Sequence, residues 1–214
     1  MIWDLPTRLF HWLFAICLLG AYITGEEEIM EWHARFGVTI LGLMIFRIIW
    51  GLIGPKAVRF STLFGAISEL PAYIKSFPNS SHSKKPGHNP LGALSVLAFF
   101  TIALVMATTG LFNEDDVFFT GPLYYTAPAF SGIANEIHEV FQAPIIPLIL
   151  LHLAAIIFHR LVLDKHILKR ITTGIEYNEG AAPQEKSYQT GVSISGISIM
   201  AICLASSYML LFLY

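Results

Sequence analysis

Long apolar runs broken by short polar stretches set the pattern of this chain. Segments free of Asp, Glu, Lys and Arg extend from Leu9 to Gly25, Pro86 to Asn113, Val140 to His159 and Ser187 to Tyr214. A fifth, from Phe36 to Pro55, is interrupted only by Arg47. Each is near the roughly 20 apolar residues a helix needs to cross a bilayer, so the pattern predicts five transmembrane helices. The long stem of Arg47 would lift its guanidinium toward the headgroups or toward an internal anion. Between the second and third runs, STLFGAISELPAYIKS has apolar residues at near-helical spacing but is too short and polar to cross, which predicts a helix lying along the membrane face. The segment EYNEGAAPQEKSYQ is polar and holds Gly and Pro, as a flexible link would, and the helix after it is expected at the periphery.

Composition agrees with a lipid environment. Of 214 residues, 55% are hydrophobic and only 13% charged, far from an ordinary soluble domain. The N-terminus MIWDLPTRLFHW lacks a basic region, clean apolar core and small-residue cleavage site, so the first span is expected to stay in the mature protein. Cys17 and Cys203 lie inside separate apolar runs, away from any C-x-x-C-H or zinc-like spacing, and read as inert core residues.

The net charge of −2 hides an asymmetry. Of the thirteen Lys and Arg residues, all but Arg35 fall before the first span, toward one end of the second, or in the loops after the second and fourth. The positive-inside rule then makes the N-terminus cytoplasmic, together with the loops holding Lys56, Arg59, Lys84, Lys85, Lys165, Lys169 and Arg170. The opposite face is acidic: Glu26, Glu27, Glu28 and Glu31, then Glu114, Asp115 and Asp116, then Glu136 and Glu139. Such runs are either solvated loops or a docking surface for a basic partner.

Histidine within a span needs partners for its nitrogens, which makes each one a candidate for function. His138 and His152 are fourteen residues apart, so on an ideal helix they lie within roughly 40° of one face and about 21 Å apart along the axis. His11 opens the first span and His33 the second, on either side of the turn near Glu26. Because the first and fourth spans run in opposite directions, His11 matches His152 in depth and His33 matches His138. Two facing histidine pairs, one per leaflet, suit six-coordinate haem iron better than zinc, which prefers four clustered ligands. A proton or metal path through the bundle is the rival reading. Gly37, one turn after His33, would let a flat macrocycle approach its helix or would serve helix packing. Arg8 and Arg47 would neutralise haem propionates or snorkel. His88, which opens the third span in GHNPLGA, is a candidate cofactor-binding residue or an interfacial one, while His159 and His166 continue the His152 stripe toward the basic face and suit the interface. Pro144 and Pro147 would kink the helix between His138 and His152.

These residues resemble the bacterial cytochrome b561 and nickel-iron hydrogenase cytochrome b family. The stretches that carry the resemblance are WDLPTRLFHW, EWHARFG with its exit RIIWGLIGP, GHNPLGA, and IHEVFQAPIIPLILLH, which occur in collinear order over about the first 175 residues. The resemblance implies two non-covalent b-type haems with ligands from the first, second and fourth helices, and so assigns His11, His33, His138 and His152. It implies electron exchange in a respiratory chain between membrane quinone and a redox partner, either a hydrogenase or other dehydrogenase subunit or a periplasmic c-type cytochrome. The expected fold is an all-α membrane bundle: a four-helix haem-binding core over residues 1–175, a cytoplasmic linker over 176–190 and a further transmembrane helix over 191–214. The expected location is the bacterial inner membrane, multi-pass, with no nucleic acid among the partners. Two further readings stay open: a superoxide:quinone oxidoreductase acting at a haem edge, and a passive anchor for a larger redox complex.

Overall fold

The computed structural model describes residues 3–76, 89–115, 119–163, 167–174 and 186–212. Within them the chain is helical apart from one short hairpin. α1 (Leu5–Glu26), α2 (Met30–Ile53), α3 (Phe60–Ser68), α4 (Leu70–Ser76), α5 (Pro90–Gly110), α6 (Ser131–Gln142), α7 (Ile145–Phe158), α8 (Ile167–Thr173) and α9 (Lys186–Tyr208) follow in order. Among the described residues five stretches are long and apolar enough to cross a membrane: α1, α2, α5, residues 128–162, and residues 191–212. The five runs read from the sequence are thus five helical spans, and the protein is a multi-pass membrane protein.

Two sequence motifs turn out to start helices by the same device. In DLPT, Asp4 Oδ1 accepts from the Thr7 N–H with Pro6 in the first turn of α1. In NPLG, Asn89 Oδ1 accepts from the Gly92 N–H at 2.6 Å, with Pro90 opening α5. Each cap satisfies an N–H that the helix cannot, while proline occupies a position that needs no donor. Asp4 also ties two spans together, because its Oδ2 accepts from Trp50 Nε1 at 2.8 Å.

α2 is the axis of the bundle. It is apolar all round, as a helix enclosed by others should be, and Leu43 and Phe46 are completely buried. α1 and α9 both pack along it, and α5 packs on a third side. The last helix was expected at the periphery, yet it lies along α2 with Met200 and Cys203 in the shared core. Small residues allow this approach: a Cβ on Gly42 would stand 2.5 Å from Ser207 Oγ and 3.0 Å from the Cys203 carbonyl. α6 and α7 pack instead on α5. Between them and α1 and α2 the middle of the bundle holds a cavity.

The fourth span is broken. α6 ends at Gln142 and α7 starts at Ile145, with a turn at Ala143–Pro144, so His138 and His152 lie on two helices. Proline removes the backbone donor and crowds the preceding turn, which accounts for the break. After α7 the chain continues as a five-residue π-helical turn, His159–Leu163.

At the acidic end, α5 is followed by a hairpin of β1 (Glu114–Asp115) and β2 (Phe119–Thr120). Asn135 of α6 fastens it, donating to the Glu114 carbonyl and accepting from the Glu114 N–H. Gln142 donates to Glu26 at 2.6 Å and joins the fourth span to the end of α1. Arg35, the lone cation at this end in the sequence pattern, pairs with Glu31 one turn away and lies 5.0 Å over Trp32. At the other end α3 packs against α5. With nine and seven residues, α3 and α4 are too short to cross.

Candidate haem-binding site

His33 enters from the first turn of α2 and His138 from the middle of α6. Their ring centroids are 6.1 Å apart. His33 Nδ1 donates to the Ala21 carbonyl of α1 at 2.8 Å. His138 Nδ1 lies 3.1 Å from Thr109 Oγ1, and that hydroxyl sends its own proton to the Val105 carbonyl at 2.8 Å. Thr109 must therefore accept, and His138 must donate through Nδ1. In both rings the proton is thereby fixed on Nδ1, which leaves the Nε2 lone pair for a metal. Hydrogen bonding of the remote nitrogen is how a ligating histidine is oriented and made more basic.

Around these rings lies a cavity of about 300 Å³ with walls from α1, α2, α5, α6 and α7. Leu18, Val38, Ile40, Ala103, Met106 and Ile145 make most of it apolar, and Asn113, Glu114, Asn135 and Gln142 ring its acidic end. Its size and lining are those of a small-molecule or cofactor site, apolar with a few converging polar groups. Gly37 lines the wall, and a Cβ there would meet nothing within 4 Å. The residue singled out in the sequence thus faces open space rather than a packed helix.

Two other glycines seat the histidines. A Cβ on Gly25 would lie 3.1 Å from His33 Nδ1, and one on Gly110 would lie 3.3 Å from His138 Cε1. Both distances are tighter than ordinary packing allows, so each ring rests against bare backbone of a neighbouring helix. Ala21, Gly25, Thr109 and Gly110 were not singled out in the sequence. Depth reckoning places the ends of α1 and α5 at the level of His33 and His138, but which of their residues face the rings depends on helix rotation.

The other two histidines lie near the basic end. His152 Nδ1 lies 3.4 Å from Ser95 Oγ, and Phe99 meets its ring edge-on. His11 packs edge-on against Trp12, and its buried Nδ1 has no hydrogen-bond partner. Of the two depth-matched pairs read from the sequence, His33 and His138 thus meet ring to ring, while His11 and His152 come to the same end of the bundle.

The remaining sequence candidates are dispersed. Arg8 Nη1 donates to the Thr172 carbonyl at 2.6 Å. Arg47 is 7% exposed and lies under Phe60, away from the cavity between His33 and His138. His88, His166 and Asp116 lie outside the described residues.

A multi-pass helical membrane protein with a facing histidine pair on an internal, mostly apolar cavity is the class these features define. Comparison with known proteins narrows it: the family model described as prokaryotic cytochrome b561 matches residues 2–174, and the chain belongs to that family. Among curated proteins it is similar to the probable Ni/Fe-hydrogenase 1 B-type cytochrome subunit of Escherichia coli K12, at 22% identity over 64% of this chain and 72% of that protein. The same figures hold for the corresponding protein of Escherichia coli O157:H7. No solved structure matches. Family membership makes this a membrane b-type cytochrome of electron transfer, a class that binds haem b.

Proposed function

We propose that the protein carries electrons across the membrane through two b-type haems, one held by His33 and His138 and the other by His11 and His152. The observation that supports this best is the first pair. Two metal–imidazole bonds of about 2 Å each need facing nitrogens roughly 4 Å apart, and rings centred 6.1 Å apart leave a gap of that order. Both rings keep Nε2 free, and the adjoining cavity has room along the Gly37 wall. When bound, haem supplies a reversible one-electron iron couple.

The chain's own residues do the rest. Ala21 and Thr109 hold the imidazoles in one tautomer. Gly25 and Gly110 let the rings seat deeply, and Gly37 keeps the wall clear. The apolar lining excludes water, and low polarity around such a site is one of the protein's levers on potential.

By the positive-inside rule the basic face is cytoplasmic and the acidic face periplasmic, in a bacterial inner membrane. We assign quinone or quinol to one end of the path and a periplasmic redox protein to the other. The relatives' description as hydrogenase cytochrome subunits supports a partner within a redox complex. The acidic face suits a basic docking partner, because opposite charge speeds encounter in a salt-dependent way.

The test is the visible spectrum and haem-to-protein ratio of the detergent-purified chain and of His11→Ala, His33→Ala, His138→Ala and His152→Ala. A low-spin spectrum with two haems is expected, one of them lost or turned high-spin by each substitution. Four substitutions without spectral effect would overturn the assignment.

A further inference from the structure

At the basic end, apart from the histidines, a small pocket of about 10 Å³ lies between Trp3, Val58, Thr62 and the side chains of Arg47 and Arg59. Arg47 is 7% exposed, yet its Nη1 is buried without a hydrogen-bond partner. Among the described residues no carboxylate lies within ion-pair distance of it. Asp4 acts on it electrostatically, but the Asp4 oxygens are already engaged by the Thr7 N–H and the Trp50 indole. Phe60 covers one face of the guanidinium. Arg59 spends its Nε on the Gly54 carbonyl at 2.6 Å, and its terminal nitrogens make no hydrogen bond among the described residues. A buried guanidinium short of an acceptor is costly, and an anion is what relieves it.

The pocket admits a single small group, such as a water or one oxygen of a larger anion. Two guanidinium groups at one opening favour the oxygen of a phosphate. The location names the source. α2 ends here, and Leu52 and Ile53 in its last turn are 64% and 60% exposed, as residues facing lipid are. We propose that Arg47 and Arg59 bind the phosphate of an anionic phospholipid headgroup, with one oxygen entering the pocket between them. A basic pocket at the inner end of a spanning helix, closed by the short α3, is suited to such a headgroup.

The experiment takes haem-loaded protein stripped of lipid in detergent and adds phosphatidylglycerol, phosphate-free diacylglycerol or inorganic phosphate. Binding is read from the thermal midpoint and from native mass spectrometry. Phosphatidylglycerol is expected to raise the midpoint by about 4 °C, with diacylglycerol and free phosphate well short of that. Arg59→Gln should need about tenfold more phosphatidylglycerol for the same shift. Arg59 is half-buried, so this variant tests the site even where Arg47→Gln does not fold. An equal shift with diacylglycerol, or an Arg59→Gln response like that of the natural chain, would overturn the proposal. A full shift with inorganic phosphate alone would keep the anion site and overturn its assignment to lipid.

Discussion

At the acidic end, His33 and His138 each give Nδ1 to a neighbouring helix at 2.8 and 3.1 Å, rest against glycine backbone and open on a cavity of about 300 Å³. At the basic end, His152 meets Ser95 at 3.4 Å and His11 Nδ1 meets nothing. The first pair is positioned by hydrogen bonds within the protein and by the glycine backbone against each ring. The second is positioned by packing, in a span that passes into a π-helical turn a few residues later. On the proposed reading, the acidic-end pair is preorganised and the basic-end pair is completed by what it binds. Preorganisation lowers the ordering cost of binding, so the acidic-end pair should hold its haem more tightly and release it last.

The sharpest way to break this comparison is to fill one cavity and leave the other pair alone. Gly37→Phe should abolish one of two haems while the spectrum of the other persists, as measured by haem-to-protein ratio and reduced-minus-oxidised difference. Loss of both haems, or of neither, would mean that Gly37 does not belong to one site. A smaller effect is expected from removing an acceptor beneath His138. Thr109→Val keeps the shape and removes one of two acceptors beside His138, the Met106 carbonyl remaining, and loss of such an outer partner weakens metal-site affinity about 10–100-fold. Competition with a haem-scavenging apoprotein would read it.

Gly110→Ala comes next. The added methyl group must displace the His138 ring, at a cost of about 1–3 kcal/mol for overpacking, visible as a lower thermal midpoint and a shifted potential of the acidic-end haem only. Ser95→Ala should do least. A contact of 3.4 Å is at the edge of a hydrogen bond, so less than about a threefold change in affinity is expected. A loss as large as that of Thr109→Val would erase the distinction between the two ends.

Much of this was legible in the residues. The five spans followed from runs without charge, and the meeting of His33 with His138 followed from matching depths on spans of opposite direction. Depth is a one-dimensional quantity that sequence counts well. The partners of the pairs were not legible, because Thr109 and His138, or Ala21 and His33, meet only after rotation about the helix axes is fixed. The break at Ala143–Pro144 is suggested by Pro144 and Pro147, but where the second half of the span points depends on its packing against α5. The hairpin after α5 escaped notice because strands of two residues carry no alternation. The last helix was misplaced for a related reason: a polar linker says how a span is tethered, and nothing about the Gly42 groove into which it fits.

That groove bears on how the protein is made. Insertion proceeds in chain order, so α2 is threaded into the bilayer long before residues 203–207 exist to cover Gly42. For most of synthesis one side of the central helix faces lipid, or whatever assembly factor shields it. The last span then closes against it by small-residue contact in a medium where apolar burial gives no drive. A chain interrupted in the linker would still hold all four histidines while leaving that side of α2 uncovered, a distinction between making the cytochrome and finishing the molecule that pulse-labelled insertion intermediates can expose.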